Sequence, residues 1–148
     1  MKTLATELRI IIQEYSQKLN TFSEKEFSTK PFPHKWSKKE ITGHLVDSAH
    51  NNLRRFIVSQ YDSSLSKIVY DQNFWVDTNG YQSMKKEEVI LLWKLMNERI
   101  ATVLENMPEH HYSKDCNTGK EKTELHSLLW LAEDYVKHLK HHLNQAIP

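Results

Sequence analysis

The sequence predicts an all-α fold, a four-helix bundle, and three observations predict it. Breakers are few, with three glycines and four prolines in 148 residues. Four stretches between them repeat apolar residues at spacings of three and four, which fills one face of a helix. No stretch alternates apolar and polar residues as a half-buried strand would. Four amphipathic helices of about 17 to 24 residues can each bury a stripe against the others, so a bundle is the natural solution. The length suits one domain over residues 1–148.

The first helical pattern runs from Thr3 to Leu19 through Leu4, Leu8, Ile11, Ile12 and Tyr15. Ser23-Glu24-Lys25-Glu26 reads as a capping box for a short helical turn, and Pro31 and Pro33 then force an extended connection. Ser37-Lys38-Lys39-Glu40 is a second capping box. It opens a helix that carries Ile41, Leu45, Ala49, Leu53 and Phe56 to about Tyr61. Residues 62–82 show no sustained period but hold Tyr70, Phe74, Trp75 and Tyr81, too aromatic for an idle linker. A third helix spans Met84 to Asn106 and stops before Pro108. A fourth starts after Thr123 as N-cap and carries Leu125, Leu128, Leu129, Ala132, Tyr135, Val136, Leu139 and Leu143. All three links between long helices exceed tight turns, so crossover connections are open and simple up-down order is not forced.

The formal net charge is +1, with Lys and Arg spread as pairs along helix flanks. That gives no strong field for nucleic acid or anionic lipid, and neither is an expected partner. No segment approaches the roughly 18 apolar residues that span a membrane. Glu7 falls where a secretory leader needs its apolar run, and Cys116 stands alone, so a reducing, cytoplasmic setting is expected. Cys116 lies in a loop-like stretch and reads as a bystander thiol.

The chemistry-bearing residues are histidines. His138, His141 and His142 crowd one segment of the fourth helix. At about 100° per residue, His138 and His142 stand one turn apart on one face, able to converge on an ion. His141 points away and reads as a rim residue. An isolated pair of this kind is a weak motif, and the Glu of zinc-protease helices is absent. His44 raises its weight, because it shares the inward stripe of the second helix with Ile41, Leu45 and Ser48. A buried imidazole needs a partner, since leaving it unpaired costs about 1–3 kcal/mol. Either it hydrogen-bonds across the core, or it ligates a metal with His138 and His142. Three neutral imidazoles would leave an open position for water or a substrate atom, and they suit several divalent metals. His34, His50, His110, His111 and His126 read as solvated, with His126 in the first turn of the fourth helix.

Carboxylates near the histidines are candidates to orient them. Asp134 lies one turn before His138, and Glu40 and Asp47 lie about a turn either side of His44. For Asp134 an ordinary helix-surface charge is the equal alternative. Gln145 follows His142 by three and either bonds at the site or caps the helix end. Phe74, Trp75 and Tyr81 are candidates to line a substrate pocket, Trp75 with the alternative of a lid packed on the core.

Trp36-Ser37-x-x-Glu40-Ile41-x-x-His44-Leu45-x-Asp47-Ser48 resembles the second-helix signature of the DinB-like proteins. His138-x-x-x-His142-Leu143-Asn144-Gln145-Ala146-Ile147 resembles their fourth-helix signature. The aromatic link with Asp71-Gln72-Asn73-Phe74-Trp75 and Gly80-Tyr81 is similar to one branch of the family. The resemblance implies an up-down-down-up bundle and a divalent metal, usually zinc or nickel, held by His44, His138 and His142. It also implies frequent homodimers, and reactions such as thiol-dependent S-transfer or isomerisation of small molecules with a low-molecular-weight thiol. Hydrolysis by a metal-bound water is the nearest variant. A non-catalytic protein that binds a metal or small ligand under stress is the other reading. One departure is Asn144, where many relatives have glycine, which bears on local helix packing.

Overall fold

A computed structural model describes residues 1–147. The four long helices form where their periods predict them: α1 (Lys2–Asn20), α3 (Lys38–Val58), α5 (Lys86–Asn106) and α6 (Leu128–Ala146). Both capping boxes close. Ser23 opens the short α2 (Glu24–Ser28), and Ser37 opens α3 with its hydroxyl accepting from the Glu40 N–H at 3.1 Å. The Glu40 carboxylate in turn accepts from the Ser37 N–H at 2.8 Å, which satisfies two of the donors a helix start leaves free.

Cross-helix bonds give the direction of the four long helices. Arg9 of α1 pairs with Glu105 of α5 at 2.6 Å, while Lys86 reaches back to the Asn20 carbonyl at 3.0 Å, so α1 and α5 are antiparallel. Lys39 Nζ donates to the Met84 carbonyl at 2.7 Å, placing the starts of α3 and α5 together. Lys38 Nζ donates to the Ala146 carbonyl at 2.7 Å, so the start of α3 meets the end of α6. Glu7–Lys140 and Tyr15–Asn144 run in the same sense, so α1 and α6 are parallel. The bundle is therefore up-down-down-up. Asn144 accepts from the Tyr15 hydroxyl at 2.8 Å and ties α6 to α1, a bond that a glycine there could not make.

Parallel α3 and α5 demand a link that returns the length of the bundle, and residues 59–85 supply it. This link holds structure that the search for a sustained period misses. Asp71 caps an eight-residue helix, α4 (Gln72–Asn79), by accepting from the Asn73 and Phe74 N–H groups at 3.0 Å each. Gly80 ends it in the left-handed region at φ 63°, which glycine adopts without strain. A 3₁₀ turn, Tyr81–Ser83, follows. The second correction lies before α6. Leu125–Ser127, expected in its first turn, form a strand instead, β2, which pairs antiparallel with β1 (Asp115–Asn117) from the preceding loop and sets Cys116 against His126. The N-cap is Ser127, not Thr123, and its hydroxyl accepts from the Trp130 N–H at 3.1 Å.

The core is continuous between the helices, with Trp93, Phe27, Phe56, Leu8, Leu45, Leu128 and Leu139 fully buried. Some of its polar members pair across elements. Tyr135 donates to Asn97 at 2.6 Å, linking α6 to α5 through the centre. Lys39 is 1% exposed, yet its ammonium meets the Glu24 carboxylate as well as Met84, clamping α2, α3 and the α5 start. That ammonium, helped by Ser28 and the Lys86 N–H, holds the Glu24 carboxyl down at about 2.

Gly43 permits a close contact between the return link and the bundle. A Cβ there would fall 2.1 Å from the Tyr81 ring. We expect Gly43→Ala to destabilise the fold by about 1–3 kcal/mol through overpacking, exceeding the helix-propensity gain of under about 1 kcal/mol. Thermal melts of Gly43→Ala, Tyr81→Leu and the double variant test this. The two changes should be strongly non-additive, with the double variant more stable than the sum predicts.

Candidate metal centre

The site stands where the second turn of α3 passes the last turns of α6. The capping box fixes the start of α3 and so the height of His44. The spacing of four on α6 then aims His138 and His142 at it. The ring centroids are 5.5 Å apart for His44–His138, 4.7 Å for His44–His142 and 4.5 Å for His138–His142. Each pair is nearly perpendicular, at 72–73°. One ring nitrogen from each histidine lies within 4.8 Å of the other two. His44 is 1% exposed and the other two are half-buried.

Neither Nδ1 nor Nε2 of His44 has a hydrogen-bond partner, although both are buried. Of the two alternatives open from the sequence, a hydrogen bond across the core is thus absent among the described residues. The other alternative, shared ligation, fits the donor set: three imidazoles facing one point, two of the nitrogens orphaned on the innermost ring. Burial, then repulsion from His142 and His138, pushes the His44 imidazole down to about 3. Burial likewise takes His138 down to about 4, with His142 adding and Asp134 opposing. His142 is lowered by burial and His141, against the pull of its Gln145 bond. All three are therefore neutral at physiological pH, the form that donates a lone pair to a metal.

The expected orienting residues divide. Gln145 is at the site, with its carbonyl oxygen accepting from His142 Nδ1 at 2.8 Å. That bond places the proton on Nδ1 and leaves Nε2 bare. The Gln145 amide also reaches Nε2 of the exposed His141 at 3.0 Å. Asp134 makes no hydrogen bond to His138. It is exposed at the rim and acts on that ring only through its charge. Asp47 makes no hydrogen bond to His44; its Oδ1 accepts from the Tyr81 hydroxyl at 2.6 Å and from Asn79 at 3.0 Å. It therefore fastens the return link to α3, and burial pushes its carboxyl up to about 6. Glu40 serves the cap and pairs with Lys30 at 2.8 Å.

Two cavities flank the triad. One, of about 620 Å³, runs between α3 and α6 from His138 and is walled by Tyr70, Tyr135 and Trp130. The other, of about 510 Å³, opens beside His142 between Phe32, Trp36, Asn73 and Gln145. Trp75 and Tyr81 line neither. Trp75 packs on Tyr70 and His50, with centroids 5.4 and 5.8 Å away, and Tyr81 is buried over Gly43. Sequence reasoning passed over two residues as site candidates. Trp36 tilts over the His44 ring with centroids 5.1 Å apart, and its place directly before the cap residue was the available signal. Tyr70 had only its aromatic character. Of the remaining histidines, His126 stacks on Trp130 from β2 and His34 stacks on Phe32, outside the triad. Cys116 is buried in β1.

A four-helix bundle whose second and fourth long helices bring three imidazoles together defines a class of helical proteins with a candidate metal centre. The chain belongs to the DinB superfamily, whose model matches residues 7–146. Among solved structures it is similar to YfiT from Bacillus subtilis, described as a probable metal-dependent hydrolase with an unusual four-helix bundle topology. The identity is 18% and the TM-score 0.78, over 94% of this chain and 81% of that one. It is also similar to the mycothiol-dependent maleylpyruvate isomerase at 12% identity and TM-score 0.71, over 98% of this chain and 58% of the longer isomerase. No curated protein sequence matches the chain.

The depressed imidazoles make the metal-free protein acid-sensitive. Unfolded, His44 takes up a proton near 6.5, whereas folded it resists until about 3. The unfolded state thus binds more protons across that window, and stability falls as pH drops through it. Melting temperatures of metal-free protein should decline from about pH 6.5 downward. His44→Leu should flatten part of that decline; an unchanged slope would show that the ring does not report the burial described.

Proposed function

We propose that this chain is a divalent-metal-dependent enzyme acting on small molecules, with His44, His138 and His142 as its metal ligands. The observation that carries the reading is the buried His44 ring with both nitrogens unpaired, facing two further neutral imidazoles. Membership of the DinB superfamily and the printed description of YfiT support it. Zinc and nickel both suit three imidazoles. A bound ion would supply Lewis acidity, lowering the pKa of a thiol or water at its open position.

The chain's own residues do the rest. Gln145 holds the His142 proton on Nδ1, so that Nε2 is the donor toward the triad. Trp36 covers one face of the His44 ring and shields it from water. The two flanking cavities give separate approaches to one point, an arrangement suited to a nucleophile and a second reactant. This favours transfer to a low-molecular-weight thiol, and hydrolysis is the variant in which water takes the thiol's place. No nucleic acid enters the scheme, and no helix among the described residues is long and apolar enough to cross a membrane.

Untagged protein should bind about one equivalent of zinc or nickel, read by elemental analysis, and His44→Ala should bind under about a tenth of that. At a hundredfold excess over Kd the metal should add about 2.7 kcal/mol of stability, absent in His44→Ala. Gln145→Ala should keep the fold and weaken metal affinity roughly 10- to 100-fold. Loaded protein should turn over an electrophile such as an epoxide with a small thiol, or hydrolyse an ester or amide. Metal binding without turnover across a broad panel would leave a metal-binding protein and remove the enzyme.

A further inference from the structure

The larger cavity has a chemical direction. His44, Ser48, Asn52 and Arg55 follow at spacings of four, four and three, one row along α3. Ser48, Asn52 and Arg55 line the cavity, which begins at His138. Arg55 therefore lies about 16 Å along the helix axis from His44. Its guanidinium is held by neutral acceptors, the Ile68 carbonyl and Asn52 Oδ1, the latter at 3.2 Å and back toward the triad. Its Nε is buried without a partner, and no carboxylate pairs with it among the described residues. Two of five N–H donors are thus used and the positive charge is unmatched.

The acidic residues on the cavity wall do not cancel it. Asp71 Oδ1 caps α4, and Asp134 stands one turn before His138, on which its charge acts; neither pairs with Arg55. Lys120 adds a second cation to the lining. A planar guanidinium already fixed by two acceptors loses little freedom on binding a carboxylate, which matches its fork. We propose that Arg55 is a specificity-determining residue that binds a carboxylate. The ligand of this cleft is then an elongated acid, its reacting end at the histidines and its carboxylate at Arg55. This rests on the metal-centre reading above.

The test titrates zinc-loaded full chain by calorimetry with ω-mercaptoalkanoates, from mercaptopropionate to mercaptoundecanoate, each against the ω-mercaptoalcohol of equal length. At one matching length the acid should bind at least about ten-fold tighter than the alcohol, as a charge-assisted contact requires. Arg55→Met should bring that ratio near one. Arg55→Lys, which keeps the charge but not the fork, should retain part of it. Arg55 also tethers Ile68, so both variants are checked for fold by circular dichroism. The comparison of acid with alcohol on the unaltered protein decides even if a variant fails to fold. A ratio near one at every length, or a preference that survives Arg55→Met, overturns the carboxylate site while thiol binding leaves the metal reading standing. Plain alkanoates separate the remaining cases. If they bind through Arg55 while no thiol binds, the thiol reading falls alone; if neither binds, both fall.

Discussion

The region around the triad answers to one unfilled demand: among the described residues, His44 is buried with neither ring nitrogen hydrogen-bonded. A fold rarely leaves such a group without a reason, because desolvating it is costly and nothing inside the chain repays the cost. What holds the ring in place is correspondingly strong. The Ser37–Glu40 box sets the first turn of α3, Lys39 pins that turn to α2 and α5, and Lys38 ties it to the last carbonyl region of α6. Trp36 closes over the ring from the connection before the cap. The histidine is held rigidly by everything except its own polar atoms, which is how a ligand-ready group differs from a packed one.

The up-down-down-up order gives this end of the bundle its character. Because α3 and α6 are antiparallel neighbours, the chain can place a helix start against a helix end and bring residues far apart in sequence into one cluster. Because α3 and α5 are parallel, a long return link must run beside α3. That link is put to use: Asp47 and Gly43 receive Tyr81, and Arg55 receives Ile68, so the wall of the larger cavity is fastened at several points. The same residues that solve a problem of connectivity also shape the space beside the histidines.

The four long helices were legible because each carries an apolar stripe over many turns, and their starts were legible where a Ser and a Glu stand three apart. The shorter elements were not. The α4 helix offers two turns and a single buried residue, Val76, too little for a period to emerge, although Asp71 is a sound cap. Leu125 continues the stripe of α6 in register, which draws a sequence reading into β2, where backbone pairing with Asn117 decides otherwise. At the site, the spacing of His138 and His142 and the inward position of His44 were readable from helix geometry alone, and so was the reach of Gln145. The role of Asp47 was not. Its neighbours in sequence suggest His44, but a tyrosine from the return link takes its carboxylate, a contact that only the tertiary fold creates.

Two of the three clustered imidazoles ride on α6, which comes after α3 and α5 in the chain. While α6 is still being synthesised, the emerging protein holds His44 alone, and a single imidazole has little hold on an ion in a cell full of competing ligands. Capture by all three imidazoles is thereby deferred until α6 docks against α3. For a metal held by all three, the order in which a ribosome delivers α3 and α6 would set the earliest moment of loading.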